Sequence, residues 1–200
     1  MKREKISVSP SFLLLVIFLF WQSRPWEVLL FLSAVLLHEG GHFLALLLCK
    51  ALPNQISFSF SGASLITAAP YLSYKKEMWV FLAGPIAGGV GCVFSFFLLR
   101  WHFTKGAMLF FSFNLLLSLL NLFPVKGLDG AGALRALLCL HGEEYQAEQI
   151  LAFLHGLSLA LLLVLSLWLW KKQGNASLFL LSLSLMGEGT KKRKKATNQS

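Results

Sequence analysis

Charge is scarce in this chain: Asp, Glu, Lys and Arg together make up 14% of its 200 residues, and acids are the rarest, nine against 18 Lys and Arg. A soluble domain of this length carries far more polar surface, so a globular water-soluble fold is excluded. Cysteine is nearly absent as well. Cys49, Cys92 and Cys139 stand far apart with no C-x-x-C pair, which argues against a disulfide framework and against a thiolate zinc site. No internal repeat and no separate soluble domain is visible; residues 1–190 read as one membrane domain and 191–200 as a basic polar tail.

What the chain has instead is apolar sequence: 56% hydrophobic residues and 18 phenylalanines. Apolar stretches recur at lengths near the roughly 20 residues a helix needs to cross a bilayer. Six segments stand out, at 6–21, 26–49, 79–99, 106–123, 147–170 and 176–186. The first follows Lys2, Arg3 and Lys5 but has no small-x-small cleavage site, so it reads as a span rather than a secretory signal. The sixth is short enough for a half-span or a surface helix. The expected fold is therefore all-α integral membrane, with about six transmembrane helices.

Lys and Arg collect in cytoplasmic loops. With the N-terminus inside, Lys50, Lys75, Lys76, Lys126, Arg135 and the tail cluster at 191–195 all fall on the cytoplasmic side. The expected location is a bacterial cell membrane, multi-pass, N-terminus cytoplasmic. The net charge of +9 then serves topology and anionic headgroups rather than nucleic acid, since the basic cluster directly follows a hydrophobic segment.

Within the second segment, residues 34–50 read AVLLHEGGHFLALLLCK. His38 and His42 stand at i and i+4, on one helical face about 6 Å apart along the axis, a spacing that lets two imidazoles converge on one zinc ion. Glu39, beside that face, is placed to take a proton from water rather than to ligate. A carboxylate at the centre of a membrane helix costs about 2.5–3.5 kcal/mol on insertion scales, so such residues usually mark function. Gly40 and Gly41 suggest that another element approaches closely.

A catalytic zinc site needs a third protein ligand. Most other acids and histidines lie near the opposite face or in polar loops; His155 lies in the fifth segment, where a hydrogen-bonded structural imidazole is the commoner case. Asp129 sits in NLFPVKGLDGAGAL, where Pro124 breaks the helix and Asp129-Gly130 starts a new one. It is either a helix N-cap or the third ligand; its expected depth, matching that of the histidines, favours ligation. Glu143 or Glu144 is the alternative.

Between the second and third segments, QISFSFSGASLIT alternates apolar Ile56, Phe58 and Phe60 with serines before a Ser-Gly turn. This period of two predicts a short β-hairpin or re-entrant segment whose edge, 56–61, would bind an unwound substrate strand.

HEGGH, FLAGP at 81–85 and NLFP…LDG at 121–130 together resemble the site-2 protease family of intramembrane zinc metalloproteases, in order and in approximate spacing. The resemblance implies a core of transmembrane helices around one Zn2+ held by His38, His42 and Asp129, with Glu39 as catalytic base and Asn121 positioning substrate or the oxyanion. It implies cleavage of a membrane-tethered substrate, such as a regulatory-factor precursor. A regulatory membrane partner is expected separately, because this short sequence shows no tether between substrate recognition and regulation. The arrangement is most similar to the sporulation branch, without its CBS domain, and Gly127 stands where the family usually has proline. The competing classes are a membrane zinc transporter and a catalytically inactive membrane scaffold.

Overall fold

The computed structural model describes residues 5–8, 20, 23–51, 53–59, 62–67 and 72–173, the strands by their backbone. Among these, five helices and three strands follow in the order β1 (Lys5–Val8), α1 (Pro25–Leu48), β2 (Pro53–Ser59), β3 (Gly62–Thr67), α2 (Tyr74–Trp101), α3 (Lys105–Asn121), α4 (Asp129–His141) and α5 (Glu144–Gln173).

Three of the helices are long and apolar enough to span a bilayer: α1, α2 and α5 from Glu144 to Trp168. The chain is thus a multi-pass membrane protein by length and composition of its helices. The fourth expected span, α3, is a shorter apolar helix of 17 residues. The expectation of a helix from residue 6 needs correction, because Ile6–Val8 runs as strand, parallel to β2 from Ile56 to Phe58. A short apolar run flanked by polar residues is ambiguous between helix and strand, and the available partner strand decides it. Residues 9–19, the sixth segment and the tail lie outside the described residues.

The bundle is inside-out relative to a soluble protein. Along α1, Leu29, Leu36, Leu44 and Leu48 are exposed, whereas Val28, Ala34, His38, His42 and Leu46 are buried. Apolar side chains turned outward meet lipid, and small or polar side chains inside let the helices approach. The seam between α2 and α3 follows this logic: Gly88 and Gly91 face Ser118 and Asn114, all buried. Phe31 and Phe113 join α1 to α3 edge to face, with ring centroids 5.5 Å apart.

Two polar contacts fix helix direction. Lys105 Nζ lies 3.2 Å from Glu27 Oε1, which puts the starts of α1 and α3 at one end of the bundle. Tyr74 donates its hydroxyl to Glu144, which puts the starts of α2 and α5 together. α1 ends without glycine: Lys50 takes a positive φ of 57°, and the Ala51 and Lys50 amides close back on the Leu46 and Leu47 carbonyls, satisfying the terminal acceptors of the helix.

Of the expected substrate edge, Ile56 and Phe58 lie in β2, and Phe60 lies outside the described residues. The sheet order is β1-β2-β3, with β2 antiparallel to β3. β2 is therefore the central strand, its backbone engaged on both sides, and is not an edge. Among the described residues the sheet's outer strands are β1 and β3.

Candidate metal centre

Each element brings one part of a buried cluster. His38 and His42 project from α1 one turn apart, 3% and 8% exposed, with their rings edge to face. Asp129 is the first residue of α4, so it is not the N-cap; Leu128 takes that position, and the Asp129 carboxylate is directed elsewhere. Its Oδ2 lies 3.0 Å from His38 Nε2 and 3.1 Å from His42 Nε2, and the two Nε2 atoms are 3.3 Å apart.

The protonation of this triangle is constrained. His42 Nδ1 lies 2.7 Å from the Val80 carbonyl oxygen, an acceptor only, so Nδ1 carries the proton. In a neutral imidazole the Nε2 then presents a lone pair, and it presents it to a carboxylate oxygen and a second imidazole. Two imidazole nitrogens and a carboxylate oxygen gathered this closely and largely buried form a donor set that could hold a metal ion. Four tetrahedral ligands at the usual zinc distances of about 2.0–2.1 Å would stand about 3.3 Å from one another, close to what these three atoms show. The His42 Nδ1–H donated to a backbone carbonyl is also how a metal-bound histidine is commonly oriented. His38 Nδ1 is buried without a hydrogen-bond partner among the described residues.

α2 and α4 enclose the cluster because their small residues allow it. A Cβ at Gly84 would fall onto His42 Nε2, and to within 2.8 Å of His38 Nε2. Gly84 belongs to the FLAGP stretch, which thereby forms the wall of the site. Phe81, from the same stretch, places its ring where a Gly132 Cβ would come within 2.6 Å, seating α4 on α2. Of the two glycines between the histidines, Gly41 meets the Ala83 carbonyl and Ala87, whereas Gly40 has nothing within 4 Å; the close approach is made at Gly41 alone.

The turn before Asp129 is equally specific. After α3 the chain tightens through Leu122 N–H to Ser118 and Phe123 N–H to Leu120, then turns with Leu128 N–H on the Val125 carbonyl. Gly127 has φ 108°, a region proline, locked near −65°, cannot enter. The residue at this position is therefore dictated by the local backbone. Gly130 lies so close to the Leu122 carbonyl that no side chain fits.

The remaining expected residues fall as follows. Glu39 is half-buried beside His38, and its charge is near enough to act on His42. Asn121 ends α3 with its amide donating to Leu117 C=O at 3.0 Å, bonded to its own helix rather than into the triangle. Glu144 pairs with Tyr74 and not with the histidines. Sequence reasoning missed the Val80 carbonyl, which no side chain signals, and the contact of Gly84 with both imidazoles.

The chain is similar in fold to a solved site-2 protease. The match, to the Site-2 Protease from Methanocaldococcus jannaschii, covers 90% of this chain and 86% of that one, with a TM-score of 0.66 and 21% sequence identity. No family model and no curated protein matches the chain. At this identity the likeness is one of fold, and the chemistry rests on the residues described above.

Proposed function

We propose that this protein is an intramembrane zinc metalloprotease that hydrolyses a peptide bond in or beside the transmembrane segment of a membrane-tethered protein. The observation that carries this reading is the triangle of His38 Nε2, His42 Nε2 and Asp129 Oδ2, with sides of 3.0, 3.1 and 3.3 Å, next to the Glu39 carboxylate. The likeness in fold to a site-2 protease supports it.

His38, His42 and Asp129 would hold the ion through two nitrogens and one oxygen, a donor set zinc accepts in hydrolytic sites. When bound, zinc supplies Lewis acidity and makes a water nucleophilic near neutral pH. Glu39 takes the proton that water loses as its oxygen adds to the scissile carbonyl carbon, and delivers it to the amide nitrogen as the C–N bond breaks. Asn121 keeps one N–H on Leu117; the second N–H of its amide is the group it would offer to the substrate carbonyl. His42 is held in one tautomer by Val80 throughout, so it does not compete for the proton.

Substrate must reach this site unwound, because a helical backbone hides its peptide bonds. An extended segment can add to an open strand. With β2 central, the pairing would fall to β3, on the side turned away from β2. A membrane partner presenting the substrate is part of this reading.

The test is cleavage of membrane-tethered reporters by detergent-purified protein, wild type against Glu39→Gln, with zinc content measured in parallel. Zinc in both and cleavage by wild type alone establishes the protease and Glu39 as base. Zinc in both with cleavage by neither transfers the function to metal transport or to an inactive scaffold.

A further inference from the structure

The three ligands come from α1 and α4, yet the segment that delivers Asp129 is gripped by a helix that supplies no ligand. Residues 122–128 link α3 to α4, and three contacts bind this turn to α5. Val125 is fully buried, packed with Leu159 and Leu162. The Lys126 backbone N–H donates to His155 Nδ1 at 3.1 Å. Lys126 Nζ lies 3.6 Å from Glu148 Oε2. Glu148, His155, Leu159 and Leu162 are spaced by seven, four and three residues, so they form one stripe along α5.

The grip lies three residues before Asp129. Leu128 N–H closes back on the Val125 carbonyl at 2.9 Å, so the turn moves as a unit between its α5 contacts and the ligand. Gly127, with its positive φ, is the compliant point within it. Without an external hold, this glycine would let the start of α4 shift, and Oδ2 would leave the two Nε2 atoms.

We infer that His155 is a positioning residue for the metal centre: by accepting the Lys126 N–H it fixes the turn that sets Asp129 against His38 and His42. This rests on the metal reading given above. His155 must present an Nδ1 lone pair, so its proton sits on Nε2. What the site requires from position 155 is an acceptor at that place in space, not an imidazole as such. Asparagine carries one there, since its Oδ1 stands the same number of bonds from the backbone as Nδ1.

The experiment is a Co2+ titration of the purified full chain, followed by the d–d absorption of the bound ion, on wild type, His155→Phe and His155→Asn. His155→Phe is expected to bind cobalt about tenfold or more weakly, at the lower end of the range for removal of outer-shell partners. His155→Asn is expected to restore binding to within about threefold, with the wild-type spectrum. Wild-type affinity in His155→Phe overturns the inference, as does equal weakening in Phe and Asn, which would make packing rather than the acceptor the cause. A wild type that takes up no cobalt overturns the metal reading itself and this inference with it.

Discussion

Asp129 Oδ2 stands 3.0 Å from His38 Nε2 across 91 residues of chain, and two glycine-dependent contacts make that distance attainable. One is the close passage of Gly84, where a side chain would strike both imidazoles; the other is the turn through Gly127. Each can be broken alone.

Gly84→Ala drives a methyl group into the His42 and His38 Nε2 atoms. Overpacking of this kind costs about 1–3 kcal/mol, and here it falls on the two imidazoles. Metal uptake and reporter cleavage should be lost while the protein still purifies as a folded species. Gly40→Ala, where nothing lies within 4 Å, should leave both unchanged and stabilise the helix by up to about 1 kcal/mol. Thermal unfolding and zinc content of the two variants compare them directly.

Gly127→Pro introduces the residue that the resemblance to site-2 proteases leads one to expect at this place, and should nevertheless damage the protein. The φ of 108° is closed to proline, so the turn must refold and carry Asp129 away. Gly127→Ala, with strain of about 1–2 kcal/mol for a side chain at positive φ, should be intermediate. Zinc retention should fall in the order Gly, Ala, Pro. A fully active Gly127→Pro would show that the turn has a second conformation that serves the site.

The meeting of His38 with His42 was legible in the sequence because ionisable groups in an apolar run have no cheap structural purpose, and the i, i+4 spacing states that the two share a face. Asp129 was reachable by elimination among few acids. The hydrogen bond from His42 to Val80 was not, since any residue type offers a carbonyl. Three long helices were legible from apolar length; β1 was not, because Ile6–Val8 become strand only through pairing with β2, whose partner residues lie fifty positions on. The same pairing removed β2 from the edge, which alternation alone cannot reveal: alternation reports two faces of a strand, not its neighbours.

Arg135 Nε lies 2.9 Å from Glu148 Oε1, and this hydrogen bond holds the guanidinium above its ordinary pKa. Both side chains are nonetheless about a third or more exposed, at 34% and 47%. Exposed pairs contribute about 0.2–1 kcal/mol. Arg135→Gln should therefore lower thermal stability slightly and leave metal content and cleavage near wild type. A loss of zinc in that variant would show that α4 depends on the pair for its position.

The most direct test of the account is the zinc content of the protein purified as wild type, Glu39→Gln and Asp129→Ala. One zinc per chain is expected in the first two. Retention in Asp129→Ala is expected to be weakened about 100-fold or more, beyond the 10–100-fold typical of outer-shell changes. Stoichiometric, tightly held zinc in Asp129→Ala would contradict this, because the ion would then be held without the residue that closes the triangle.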